Sequence, residues 1–226
     1  MRYNSFNQIH KGLRAMLYEA ALALQHADLS DAAEGEEALQ RLEEVLYLFD
    51  SHAHHEDQFF NEPLEQINPE VATLFEQEHK EDHRLATVLY DLISQWREEK
   101  TAAGRGITGR NLFYAFNEFI AFNLCHMNKE ELVLNEALWK VYSDEEIKAT
   151  EQALVRQTPP DKMMRYAKWM IRGCNRVELA NWLTEVKLGA PPELLMVLLK
   201  LAEEQLTPHR FAAVKESVNA AAVPAD

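Results

Sequence analysis

The chain has 226 residues, few glycines (7) and prolines (8), only two cysteines, and a formal net charge of −14. That length can bury a substantial core, and so little Gly and Pro favours long helices over a turn-rich β fold. The acidity argues against a nucleic-acid backbone or an anionic membrane as the main partner, because both reward Lys and Arg; two cysteines cannot build a disulfide framework.

The first element is expected over residues 5–26, where Phe6, Ile9, His10, Leu13, Leu17, Ala20 and Leu24 recur with a helical period. Asp31 can cap a second helix carrying Ala38, Leu42, Val45, Phe49, His52, Glu56 and Phe59, with Pro63 marking its end. Asn68-Pro69-Glu70 supplies a cap followed by proline at the first helical position. The third helix then runs to about Lys100 through Ala72, Phe75, His79, His83, Ala86 and Tyr90. Residues 101–109 hold three of the seven glycines and read as a loop. A fourth helix places Leu112, Phe116, Phe119, Asn123, His126, Glu130, Val133 and Ala137 on one face.

Four long helices with short or moderate connections predict an all-α fold, an up-down-up-down four-helix bundle over residues 1–142. Ser143-Asp144-Glu145-Glu146 is a capping box that opens a new segment. From there to residue 226 the helices are shorter, punctuated by Pro159-Pro160, Gly173, Gly189 and Pro191-Pro192. These additional C-terminal helices are expected to pack on the bundle or form an interface, with a homodimer through them as one outcome. The polar first residues and the lack of a long apolar run predict a cytoplasmic protein without a membrane span. Cys125 and Cys174 are expected to be free, buried thiols.

The chemistry lies in seven residues: His10, the pair His52/Glu56, the pair His79/His83, and the pair His126/Glu130. Each pair is spaced i, i+4, so both side chains leave one face of a helix a turn apart. In an antiparallel bundle, groups that meet lie early in the first and third helices and late in the second and fourth, which is where these seven fall. Buried carboxylates are costly unless paired or metal-bound, and neutral imidazole is the commonest metal ligand. Mixed imidazole and carboxylate donors suit iron, manganese or zinc better than magnesium or calcium. With both carboxylates bridging, an oxo or hydroxo bridge and terminal imidazoles, two six-coordinate ions keep one position open for a small ligand. Asn123, one turn before His126, could hydrogen-bond that ligand or make an ordinary buried amide bond.

The segments Asn7-Gln8-Ile9-His10, His52-Ala53-His54-His55-Glu56-Asp57, His79-Lys80-Glu81-Asp82-His83 and His126-Met127-Asn128-Lys129-Glu130-Glu131 together resemble the hemerythrin family, in its HHE cation-binding branch. The resemblance implies a four-helix bundle holding two iron ions in a non-haem, oxo- or hydroxo-bridged diiron centre, although another divalent metal could fill it. Glu56 and Glu130 would bridge the irons, and His10, His52, His79, His83 and His126 would be terminal ligands. The partner implied is dioxygen or another small diatomic or peroxide ligand, bound or sensed. A diiron enzyme or repair factor in oxidative or nitrosative stress, and a metal-dependent regulatory interaction module, are the alternatives. The last motif is His-x3-Glu rather than the His-x4-Asp of oxygen carriers, which points away from oxygen storage. His55 is the alternative to His52 on the second helix.

Overall fold

The computed structural model describes residues 2–220, and among them there are helices and no strands. The all-α expectation therefore holds. No described helix is long and apolar enough to cross a membrane. In chain order the elements are α1 (Asn7–His26), α2 (Ala32–Glu56), a π-helical segment π1 (Asp57–Asn61), α3 (Glu62–Ile67), α4 (Pro69–Glu98) and α5 (Ala102–Lys129). A second π segment, π2 (Glu130–Leu134), α6 (Asn135–Trp139), α7 (Asp144–Gln157) and four helices α8 to α11 follow: Pro160–Gly173, Arg176–Gly189, Pro192–Gln205 and Pro208–Ala220.

The caps form where local chemistry calls for them. Asp31 accepts from the Ala33 and Glu34 amides, and Asn68 accepts from Val71 with proline just inside the helix. Ser143 and Glu146 exchange the two hydrogen bonds of a capping box, at 2.8 and 3.2 Å. Two boundaries differ from expectation. The helical path of α2 passes through π1 into α3, so that Pro63, the second residue of α3, does not end it. Residues 102–109 are helical, not a loop: Thr101 caps α5, accepting from Gly104 at 3.0 Å. Gly109 has a packing role there, since a Cβ on it would overlap the Leu29 side chain.

The chain forms two compact units: one takes the chain up to Phe6 with Met16–Gln157, the other Asn7–Ala15 with everything from Thr158 on. The later boundary between the two units falls at 157/158, after α7. The reason is α7, whose buried Ile147 belongs to the apolar cluster of Phe6, Phe60, Leu64, Phe75, Leu134 and Leu138 in the first unit. Arg2 adds to this closure by pairing with Asp144 and donating to the Trp139 and Tyr142 carbonyls. Further into the first unit, α4 packs along α5, and the Phe49 and Phe119 rings meet edge to face at 5.5 Å.

In the second unit, Ala167, Ile171, Leu179, Leu183, Leu198, Ala202 and Val214 form a separate apolar cluster. Residues 7–15 of α1 lie close against α8, a glycine from each helix at the contact. A Cβ on Gly12 would stand 2.8 Å from the Met170 amide nitrogen, and one on Gly173 would overlap the Lys11 carbonyl. Both cysteines are free, but only Cys174 is buried; Cys125 is exposed, on the outer side of α5. Burial pushes the Cys174 thiol up to about 12, with Glu178 adding to the shift, so it stays protonated at neutral pH.

Candidate metal centre

Three long helices deliver the polar residues of the first unit to one buried place. His52 and Glu56 occupy the last turn of α2, Glu78, His79 and Asp82 the first half of α4, and Asn123 and His126 the end of α5. Glu130 opens π2, just as Asp57, the residue after Glu56, opens π1. Both carboxylates of the His-x3-Glu pairs thus stand at a junction of α- and π-helix. A π turn inserts extra backbone without breaking the helix, and such turns gather at functional sites. Neither is signalled by glycine or proline: the segments read Asp-Gln-Phe-Phe-Asn and Glu-Glu-Leu-Val-Leu.

Glu56, His79, His126 and Glu130 are all buried, and one donor atom from each lies within 4.8 Å of all the others. The Nε2 atom of His79 is 3.7 Å from a Glu56 oxygen and 3.7 Å from a Glu130 oxygen. His126 Nε2 is 3.2 Å from Glu130, and His52 Nε2 is 2.9 Å from Glu56. Two ligands held at roughly 2.0–2.2 Å from one ion, at ordinary coordination angles, are about 3–3.6 Å apart. The separations around His79 and His126 fall close to that range. His79 Nε2 is also buried without a hydrogen-bond partner, a costly state for a polar atom unless something else occupies its lone pair. By both tests these residues could hold a metal ion.

The far side of each imidazole is anchored. His79 Nδ1–H donates to Asp57 at 2.7 Å, and His126 Nδ1–H donates to Glu78 at 2.9 Å. Lys129 donates in turn to the other oxygen of Glu78. A carboxylate can only accept here, so each contact places the ring proton on Nδ1 and turns Nε2 toward the cluster.

The electrostatics agree. Burial alone lowers an imidazole pKa, yet around His79 it is outweighed by Asp57, Glu130 and Glu56, which push the group up to about 12. His126 is pushed up to about 10, against burial, by Glu130, Glu78 and Glu56. Glu130 is held below the ordinary carboxylate range: burial and the Glu56 charge work to raise it, and His126 and His79 override them. This pocket is built for positive charge. Protons on the imidazoles can supply that charge, and a cation at the same place would displace them.

Of the residues expected from sequence, the structure brings His52, Glu56, His79, His126 and Glu130 together. His10 is fully buried and lies on α1, in the stretch grouped with the second unit. His52 rather than His55 stands against Glu56, as its full-turn spacing suggested. His83 is not brought to this cluster. Its side chain is 76 % exposed, with Nδ1 3.9 Å from Asp50. The inner face of α4 is made by Ala72, Phe75, His79, Asp82, Ala86, Leu89, Ile93 and Trp96, all buried. That 3-4-3-4 spacing puts position 83 about 100° around the helix from Asp82, and Tyr90, seven residues beyond, is exposed with it.

Three acids were missed: Asp57, Glu78 and Asp82. Asp82 was legible, since it occupies the inner register of α4 where His83 does not. Glu78 and Asp57 are recognised only through their partners on other helices. Asp82 is buried and receives the Asn123 amide at 2.6 Å; the same amide nitrogen donates to the Phe119 carbonyl at 3.1 Å. Burial raises the Asp82 carboxyl, and the Asn123 hydrogen bond acts against it. Asp82 and Asn123 line a cavity of about 10 Å³ with Phe49, Ala53, Met127, His52, Glu56, His79 and His126. That is about the room one water needs.

No model of a known protein family, no curated protein and no solved structure matches this chain.

Proposed function

We propose that the chain carries a hemerythrin-like centre of two iron ions in an up-down-up-down four-helix bundle, which binds or senses dioxygen or a related small oxidant. The observation that carries this reading is the buried group Glu56, His79, His126 and Glu130, with donor atoms within 4.8 Å and His79 Nε2 left without a hydrogen-bond partner. His10 completes the sequence pattern from which the resemblance comes.

Iron bound there would supply electrons and an exchangeable coordination position. The protein's own part is to hold and shield. Glu56, Glu130, His52, His79 and His126 would hold the metal. Asp57 and Glu78 keep the rings of His79 and His126 in one tautomer and orientation. The cavity beside the cluster, walled in part by Phe49, Ala53 and Met127, is small, which favours a small ligand over an organic substrate. The donor set, three imidazoles and two carboxylates without thiolate, suits iron, manganese or zinc.

Anaerobic loading with ferrous iron, followed by metal analysis and exposure to air, tests the reading. Two irons per chain and the absorption bands of an oxo-bridged ferric pair are expected. A protein that takes up no stoichiometric iron, or that prefers zinc and stays colourless, would overturn it.

A further inference from the structure

The cavity beside the cluster has two unlike walls. One is made by the candidate ligands His52, Glu56, His79 and His126; lining the same space are Asp82 and Asn123. Asp82 is buried, and Asn123 is its one hydrogen-bond donor among the described residues, on Oδ1. The Asn123 amide nitrogen is fully committed, one hydrogen to Asp82 and one to the Phe119 carbonyl, so it pins Asp82 and has no donor left for a guest. A buried carboxylate ordinarily collects more than one donor. The apolar neighbours in the cavity wall, Phe49, Ala53 and Met127, have no side-chain donor to offer.

We propose that Asp82, fixed by Asn123, is the group that meets the small guest, and that it selects guests carrying a donating O–H or N–H over anionic guests that carry none. Water and hydrogen peroxide belong to the first class, azide to the second. The inference rests on the iron-centre reading and adds to it a specificity residue outside the ligand set. It also makes Asp82, not His83, the residue of α4 that serves the site beside Glu78 and His79.

The test uses the ferric, iron-loaded full chain and two probes read optically, hydrogen peroxide and azide. Asp82→Leu should weaken peroxide binding about tenfold or more, the loss of a hydrogen bond to a charged acceptor. The same change should tighten azide, because a buried negative charge beside an anion is removed. Asp82→Asn, closer in shape and still an acceptor, should keep part of the peroxide affinity while azide also tightens; it serves if the leucine variant fails to fold. Iron content should stay at the wild-type value in both. Unchanged peroxide and azide affinities overturn the proposal alone, as does loss of iron from both variants, which would make Asp82 a ligand. Wild-type protein that holds no iron overturns the iron reading and this inference together.

Discussion

Asp57 takes the Nδ1–H of His79 at 2.7 Å, an exposed-side carboxylate gripping a buried ring from behind. The contact crosses from the first residue of π1 to α4, so the π turn after Glu56 places both a candidate ligand and the anchor of another. Replacing Asp57 with Asn keeps the shape and removes the charge. Metal affinity should fall by about 10- to 100-fold, the usual effect of losing such a partner. Competition against a chelator of known affinity measures it; an unchanged constant would mean that Asp57 does not orient His79.

His79 and His83 should part company on mutation. His79→Ala should abolish stoichiometric metal uptake. His83→Ala, on an exposed position paired loosely with Asp50, should leave metal content at the wild-type level and change stability by no more than about 0.5 kcal/mol. Elemental analysis of the two purified variants decides the matter.

The metal-free protein should lose stability as the solution becomes alkaline. His79 and His126 have folded pKa values of about 12 and about 10, above the ordinary 6.5 of an unfolded histidine. The folded state therefore holds more protons than the unfolded one above about pH 6.5. The stabilisation these groups contribute is complete below that pH and drains away as pH climbs through 10 toward 12. Glu130, held low, acts at the other end: its contribution is lost as pH falls through its depressed value. Urea midpoints of the metal-free protein at about pH 6.5 and about pH 9.5 should show the alkaline decline. Metal affinity should rise over the same interval, since binding must expel those protons.

The glycine contact in the second unit makes a separate prediction. Gly173→Ala drives a methyl group into the Lys11 backbone carbonyl, and should destabilise by about 1–3 kcal/mol or more. Gly189, at the end of α9, has open space on the side where a methyl would stand, with nothing within 4 Å, and serves as the control. Its alanine variant should be neutral or slightly stabilising. Thermal melts of the two proteins provide the comparison.

Much of this molecule was legible along the chain. Helix spans follow from apolar periodicity and caps such as Asp31, Asn68 and Ser143, because those are local interactions within a turn or two of backbone. The pairs His52/Glu56 and His126/Glu130 are legible for the same reason, both partners lying on one helix face. Tertiary packing decided what local spacing left ambiguous. Residues 82 and 83 differ by one step around α4; the apolar register through Leu89, Ile93 and Trp96 points to Asp82, and burial against the neighbouring helices holds it inside. It also recruited Glu78 and Asp57 to rings on other elements, helped draw α7 into the first unit through Ile147, and turned a glycine-bearing stretch into the start of α5. A side chain's partner on another helix is a matter of three-dimensional distance, and helical period carries no information about that.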